Sequence, residues 1–289
     1  APMQADQIDT FLDLCETRSF NRSAERLGVT QSTVSGRVAA LERHLGVALF
    51  RRSRAGCELT PEGRRYEPHA RGLRHALTEA RAAARGASGT AMSIRLGLQH
   101  DLAAGDPARW VHAMLGQLPD AALYIESDNS AQMCRDLQSG VLDLALMFTP
   151  YPSPDVHFET LGELHYRMVA PVGEGLGDFE AITQARYVMA CLSPAFERTH
   201  AALLPHLSRP PLAAGHSTTV QGLIRTLKVA GYLQQRMAAR AIDEGWAEPV
   251  IGAPDLTQTV NAALHFRNRH RAVWRKLIGA LRQNLGEPA

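Results

Sequence analysis

The feature that most constrains this chain is a pair of helical periodicities near its start, separated by one glycine. Ile8, Phe11, Leu12 and Cys15 recur at the spacing of a single apolar helix face, and that helix is expected to stop near Arg18 and Ser19. Asn21 then reads as the cap of a short second helix with Ala24 and Leu27 on its buried side. Gly28 stands where a helix ends in the left-handed conformation. Thr30 restarts the chain as the cap of a third helix, in which Val34, Val38, Leu41 and Leu45 precede a stop at Gly46. Two helices joined by a tight glycine turn form a helix-turn-helix, whose second member enters the DNA major groove with its N-terminal half. The polar edge of that half carries Thr30, Gln31, Ser32, Thr33, Ser35 and Arg37, groups of the kinds that bond base edges and phosphates. The same backbone arrangement also occurs in proteins that never touch nucleic acid.

Charge and the next segment bear on that choice. The whole chain holds 31 basic and 29 acidic residues, yet residues 18–54 hold eight arginines against only Glu25 and Glu42. A local excess of that size suits a polyphosphate partner. Residues 49–60 then read as strand, basic glycine-containing turn, strand. This is a wing, with Arg52 and Arg54 placed to reach phosphates or the adjacent minor groove.

In order along residues 8–65 stand Ser19-Phe20, Ala24-Glu25-x-Leu27, Thr30-Gln31-Ser32, Ser35, Leu41-Glu42, Leu45-Gly46-Val47, Leu49-Phe50-x-Arg52 and Leu59-Thr60-x-x-Gly63. Together they resemble the LysR-type transcriptional regulators. That resemblance implies that Gln31, Ser35 and Arg52 occupy positions the family uses against DNA. One departure stands inside the third helix, where many members carry arginine and this chain has Gly36 followed by Arg37. Glycine there costs roughly 1 kcal/mol relative to alanine. Arg37 is expected to take over the contact with an altered base preference.

From Thr60 the pattern is a long helix with Pro61 in its first turn and a seam of Tyr66, Ala70, Leu73, Leu77, Ala80 and Ala84. Such a seam needs a partner, either its own domain or a second copy. The resemblance implies the second copy, because the family pairs these linker helices between subunits, and it favours a tetramer built as a dimer of dimers. Pro68 should bend the helix, and residues 85–90, rich in glycine, should end it as a hinge.

Beyond residue 90 short strands and helices alternate. Ile94, Leu96 and Leu98 mark a strand, Trp110 to Leu118 a helix, and Leu123 with Ile125 a strand. Met133, Cys134 and Leu137 lie on a second helix, and residues 142–148 form a third strand. A comparable series recurs, with strands near 166–171, 187–192 and 211–215, helices near 195–207 and 218–230, a strand over 260–266 and a final helix bearing Trp274. Two α/β lobes with parallel sheets follow. Such lobes bind ligands where strand carboxyl ends meet helix N-termini. The loops at those ends hold Gln99-His100-Asp101, Asp128-Asn129-Ser130, Phe148-Thr149, Ser193 and Ser217-Thr218-Thr219. Hydroxyls at helix starts are also ordinary caps. By the resemblance, this half is a periplasmic-binding-protein-like effector domain with a small-molecule cleft between its lobes. Gln99, His100, Ser130, Thr149 and Ser193 then match cleft positions, with Ser217 and Thr218 completing the site. A second departure, Tyr232-Leu233-Gln234-Gln235-Arg236 after Gly231, is expected to reshape or partly fill that cleft.

The expected organisation is therefore an α/β multidomain chain. An all-α winged helix-turn-helix covers 1–59, a linker helix and hinge 60–89, and the effector domain 90–289. Lobe I takes about 90–162 and 266–289, and lobe II about 163–265. Catalytic motifs are missing: there is no G-x-S-x-G, H-E-x-x-H or Walker loop, and Gly173-Glu174-Gly175-Leu176-Gly177 has the wrong spacing for a dinucleotide turn. The expectation is a regulator rather than an enzyme, without cofactor or metal, acting on double-stranded promoter DNA. The competing reading is a ligand receptor whose helical head only dimerises. Cysteines 15, 57, 134 and 191 are too far apart for a zinc or dithiol motif, so isolated thiols are expected, although Cys134 and Cys191 could meet across a cleft. The longest apolar runs, such as 187–192, fall well short of the roughly 18 residues a membrane span requires. Asp6 and Asp9 stand where a signal peptide would be basic and then apolar, giving a cytoplasmic expectation.

Overall fold

The computed structural model describes residues 3–53, 56–84, 92–104 and 107–285, in two units. The first comprises residues 1–93 with 135–143, and the second 94–134 with 144–289. The expected hinge at 85–90 and the wing-tip residue Arg54 lie outside the described residues.

The first unit begins with α1 (Ala5–Thr17), α2 (Phe20–Leu27) and α3 (Gln31–Leu45). Arg18 ends α1 in the left-handed region, with φ 52°. That turn puts Ser19 in extended backbone, where its Oγ accepts from the Arg22 N–H. Ser19, not Asn21, is therefore the cap of α2. Gly28 closes α2 at φ 65°, a conformation that costs glycine no Cβ clash. Thr30 caps α3 through the Thr33 N–H at 3.2 Å. The wing follows as β1 (Phe50–Ser53) and β2 (Gly56–Leu59), an antiparallel pair. The Glu42 carboxylate fixes the wing to α3 by accepting the Leu49 and Phe50 N–H groups at 2.7 and 3.1 Å.

The 24-residue α4 (Pro61–Ala84) runs on through Pro68. A Cβ at Gly63 would lie 2.2 Å from the Leu49 carbonyl oxygen, so only glycine lets α4 start this close to the wing. Phe11, Leu12, Leu41, Leu49 and Ala70 form a core with no solvent exposure, and the Phe11 ring lies 5.3 Å from Phe50 and 5.1 Å from Tyr66. The expected seam is thus shortened. Tyr66 and Ala70 pack on α1 of their own unit, because Phe11 offers an apolar surface opposite them. Leu73 and Leu77 remain 39% and 36% exposed, with Ala80 exposed beside them. The side chain of Ala84 lies outside the described set.

The second unit is built on one hydrogen-bonded path of strands. Along the chain come β3 (Met92–Gln99), α5 (His100–Ala104), α6 (Pro107–Gln117), β4 (Ala121–Asp128), α7 (Ser130–Ser139, whose residues 135–139 count with the first unit), β5 (Leu144–Met147) and β6 (Val156–Pro171). Then follow β7 (Tyr187–Ala190), α8 (Pro194–Leu203), β8 (Ala213–Ala214), α9 (Ser217–Leu227), β9 (Ala230–Gln234), α10 (Gln235–Asp243), β10 (Ala247–Pro249), β11 (Leu256–His265) and α11 (Ala272–Leu285). The sheet order is β4-β3-β5-β11-β6-β9-β7-β8, with β10 on β6. β3 runs parallel to β5 at one end, and β7 is parallel to both β8 and β9 at the other. Two strands depart from the expected all-parallel lobes. The 16-residue β6 and the 10-residue β11 pair antiparallel with each other and carry the chain from one lobe to the other. Their register shifts between Val260 and Asn261, where Leu161 is the unmatched residue opposite, a bulge that bends the paired strands. Asn261–Leu264 already pair with β5, so the crossing on β11 lies within the strand rather than at its end.

Candidate nucleic-acid interface and effector cleft

At the start of α3, Thr30, Gln31 and Ser32 are exposed and Thr33 and Ser35 half-buried. The Thr30 Oγ1 lies 2.8 Å from both the Ser32 and Thr33 hydroxyls, which organises the turn while the Gln31 amide stays clear. Capping consumes one hydroxyl of this edge. Gln31 and Ser32 face solvent from a helix whose other side, Val34, Val38 and Leu41, is buried. Arg37 is different. Its guanidinium pairs with Asp6 at 2.9 Å and donates to Thr10 Oγ1 at 3.4 Å, both on α1. In the chain by itself the Arg37 guanidinium ties α3 to α1. Arg52 sits in β1 opposite Cys57, with its side chain outside the described set.

The local positive excess is also smaller than the window 18–54 suggests. Arg26 pairs with Asp13 and Glu16, each at 3.0 Å, and Arg51 with Glu58 at 2.9 Å. Asp6, Asp13 and Glu16 lie just upstream of that window and Glu58 just downstream, and folding brings each beside an arginine.

In the second unit, strand carboxyl ends and helix starts form a bonded cluster. Gln99 Oε1, at the end of β3, accepts from Ser130 Oγ at 2.9 Å and the Phe148 N–H at 2.8 Å. His100 Nδ1 lies 3.1 Å from Ser127 Oγ, and its ring meets His216 edge-on at 5.2 Å. Ser193 caps α8 by accepting the Phe196 N–H at 3.1 Å and donates to Gln258 Oε1. Gln258 Nε2 donates to the Tyr166 hydroxyl at 2.9 Å, Tyr166 donates to Asp101 Oδ2 at 2.8 Å, and Asp101 Oδ1 accepts the Ser217 N–H at 3.0 Å. Burial, then the Asp101 charge, hold the Tyr166 phenol well above its ordinary pKa, so it stays a donor. Thr149 Oγ1 and Ser217 Oγ are buried without a partner among the described residues, and Thr218 is exposed.

Of the residues expected here, the structure joins Gln99 to Ser130, and links Ser193 to Ser217 through Asp101, named only as part of its loop, and through Tyr166 and Gln258, which were not singled out. A signal for Gln258 existed. It falls in phase with Leu256 and Val260, the inward positions of a strand, so a polar side chain there had to find an internal partner.

The chain matches two family models, the bacterial regulatory helix-turn-helix protein of the lysR family over residues 5–64 and the LysR substrate binding domain over residues 87–286. It belongs to the LysR family. This LysR-family regulator is 34% identical over 170 residues to the "Probable hydrogen peroxide-inducible genes activator" of Mycobacterium xenopi, a match covering 58% of this chain and 90% of that protein. Two other curated relatives, from Bordetella bronchiseptica and Mycobacterium avium, are matched over about half their length. ArgP from Mycobacterium tuberculosis shares the fold at TM-score 0.68 and 22% identity, over 96% of both chains. Full-length CbnR, solved in complex with its target DNA, shares it at TM-score 0.72 and 17% identity, over 98% of this chain and 100% of that one.

The regulator's relatives are transcriptional regulators rather than enzymes. Among the described residues no disulfide joins cysteines 15, 57, 134 and 191, and burial pushes the Cys15 thiol pKa up to about 12. Cys134 lies 4.0 Å from the Met147 sulfur. Among the described residues no helix is long and apolar enough to cross a membrane, and no three potential ligands gather for a metal.

Proposed function

We propose that this LysR-family chain is a cytoplasmic, effector-responsive regulator divided as 1–59 for DNA reading, 60–89 for linkage and 90–289 for effector binding. Gln31, Ser32 and Ser35, with Thr30 and Thr33 shaping the turn, read base edges, while Arg52 and Arg54 hold phosphates. The observation that carries this reading is the α3 edge itself, whose Gln31 and Ser32 remain exposed beside a fully packed core. The effector is held by Thr149, Ser217, Thr218 and His100, with Gln99, Ser130 and Ser193 shaping the cleft from beneath. Leu73, Leu77 and Ala80, exposed along α4, pair with the same residues of a second copy, and two such dimers make a tetramer.

The test is retention on duplex DNA as salt rises. A DNA reader loses affinity steeply on a logarithmic salt scale, whereas a receptor with a merely dimerising head is not retained at any salt. Footprinting of genomic sites then gives the half-site spacing. For the seam, Leu73→Glu is expected to lower the mass measured by light scattering, and an unchanged mass removes α4 from the interface.

A further inference from the structure

A helix start behind a parallel strand offers unpaired N–H groups to anions. In this chain the leading N–H of α9 is already taken from within. The Ser217 N–H is taken by Asp101 Oδ1, and the other carboxylate oxygen accepts from Tyr166. Asp101, on α5, follows β3 of the first lobe, whereas Ser217 and Tyr166 belong to the second, so one side chain spans both. Asp101 is only 3% exposed. The start of α8 is closed as well, by the Ser193 hydroxyl on the Phe196 N–H. No arginine or lysine occurs among the cleft residues 99–101, 127–130, 149, 193 or 216–218.

Two groups are left over. Ser217 Oγ, on a residue 1% exposed, and Thr149 Oγ1 are buried without partners. A hydroxyl donates once and accepts twice, so these two atoms suit an uncharged hydrogen-bonding molecule, or the donors of an ammonium group, without favouring an anion. Buried polar atoms left unbonded are rare in folded chains and ask for an occupant.

Resting on the effector-cleft reading above, we infer that Asp101 stands where an effector's acidic group would dock. The cleft therefore selects an uncharged or cationic hydrogen-bonding molecule and rejects carboxylates and phosphates. Rejection has two sources. The leading N–H of α9 is already bonded to a carboxylate, and a second negative charge beside that desolvated carboxylate is repelled where screening by water is weakest.

The experiment uses the full chain, with sodium acetate, inorganic phosphate and ethylammonium chloride as probes against sodium chloride at matched ionic strength, read by thermal shift. Wild type is expected to respond to ethylammonium and to give no saturable response to acetate or phosphate. Asp101→Ala exposes the Ser217 N–H and removes the charge, and is expected to bind acetate about tenfold more tightly than wild type. Saturable stabilisation of wild type by acetate or phosphate overturns the inference, as does a folded Asp101→Ala that ignores acetate. Should that variant not fold by circular dichroism, wild type decides alone: a response to ethylammonium without one to acetate supports the ligand class, and no response to either overturns it. Duplex retention on the same wild-type sample is scored separately, so failure to bind DNA sinks the regulator reading without altering the probe result.

Discussion

The edge of α3 and the Asp101 cluster are both polar and were built by opposite rules. Gln31 and Ser32 are exposed, and the Gln31 amide has no hydrogen-bond partner among the described residues. Asp101, Tyr166, Gln258 and Ser193 are buried and bonded to one another in series. An exposed side chain is already hydrated, so trading water for a base edge changes little in total energy and much in discrimination. Inside the protein there is no water to fall back on, and each lost partner leaves a desolvated atom behind. The first arrangement suits an outside partner that comes and goes. The second suits a latch whose two lobes are held in a defined relation.

The largest effect that separates the two is expected at Tyr166. Tyr166→Phe removes a donor to Asp101 and an acceptor for Gln258, and about 1–3 kcal/mol is lost for each buried group left unpaired. Urea denaturation of the second unit's transition should register the loss. A midpoint no further from wild type than that of Ser32→Ala would dissolve the distinction between the regions. Next in size is Gln31→Ala, which should cost about 1–3 kcal/mol on the specific duplex and little on random DNA or on folding. Equal losses on both duplexes would make Gln31 a phosphate contact and leave the edge without a reading role.

How much was legible follows the same divide. Helix-turn-helix and wing could be read because each boundary rests on a local rule: Gly28 for a left-handed stop, Thr30 for a cap, the 3-4 alternation of Val34, Val38 and Leu41 for a buried face. The error there was equally local, since Asn21 and Ser19 are both good caps and only the left-handed turn at Arg18 decides between them. Long-range partners were not legible. Nothing near Arg37 announces Asp6, and nothing near Ser217 announces Asp101, 116 positions away. The length of β6 was hidden too. Its first part, residues 156–165, is buried only at Val156 and Leu161 and is interrupted by Gly162, so only the end near 166–171 read as strand.

A third measurement sharpens the contrast through pH. His200 is fully buried beside Tyr187, whose hydroxyl lies 2.7 Å from Nε2, and beside Tyr232. Burial, then the charge of His206, lower its pKa from 6.5 to about 4. A folded-state value below the unfolded one means that the fold is favoured by neutral His200. That contribution is complete above pH 6.5 and is lost as pH falls towards 4, because the unfolded chain takes up a proton the folded chain refuses. Melting temperature should fall over this window in wild type and fall less in His200→Gln. Parallel curves for the two proteins would show that the buried imidazole is not the source.

The smallest effect tests Arg37, which the sequence places on the edge of α3 and the fold pairs with Asp6 on α1. If Arg37 is a clamp, Arg37→Ala removes an ion pair whose partners are 28% and 44% exposed, and solvent screening keeps that pair below about 1 kcal/mol. Thr10 Oγ1 keeps its bond to the Asp6 carbonyl at 2.6 Å, so the end of α1 is still held. Melting should shift only slightly, and the ratio of specific to random duplex affinity should stay at the wild-type value. A base contact predicts the reverse, with melting unmoved and discrimination reduced at a single base pair. A shift in both would mean that the guanidinium leaves Asp6 when DNA arrives, in which case the exposed edge of α3 extends two residues beyond Ser35 along the groove.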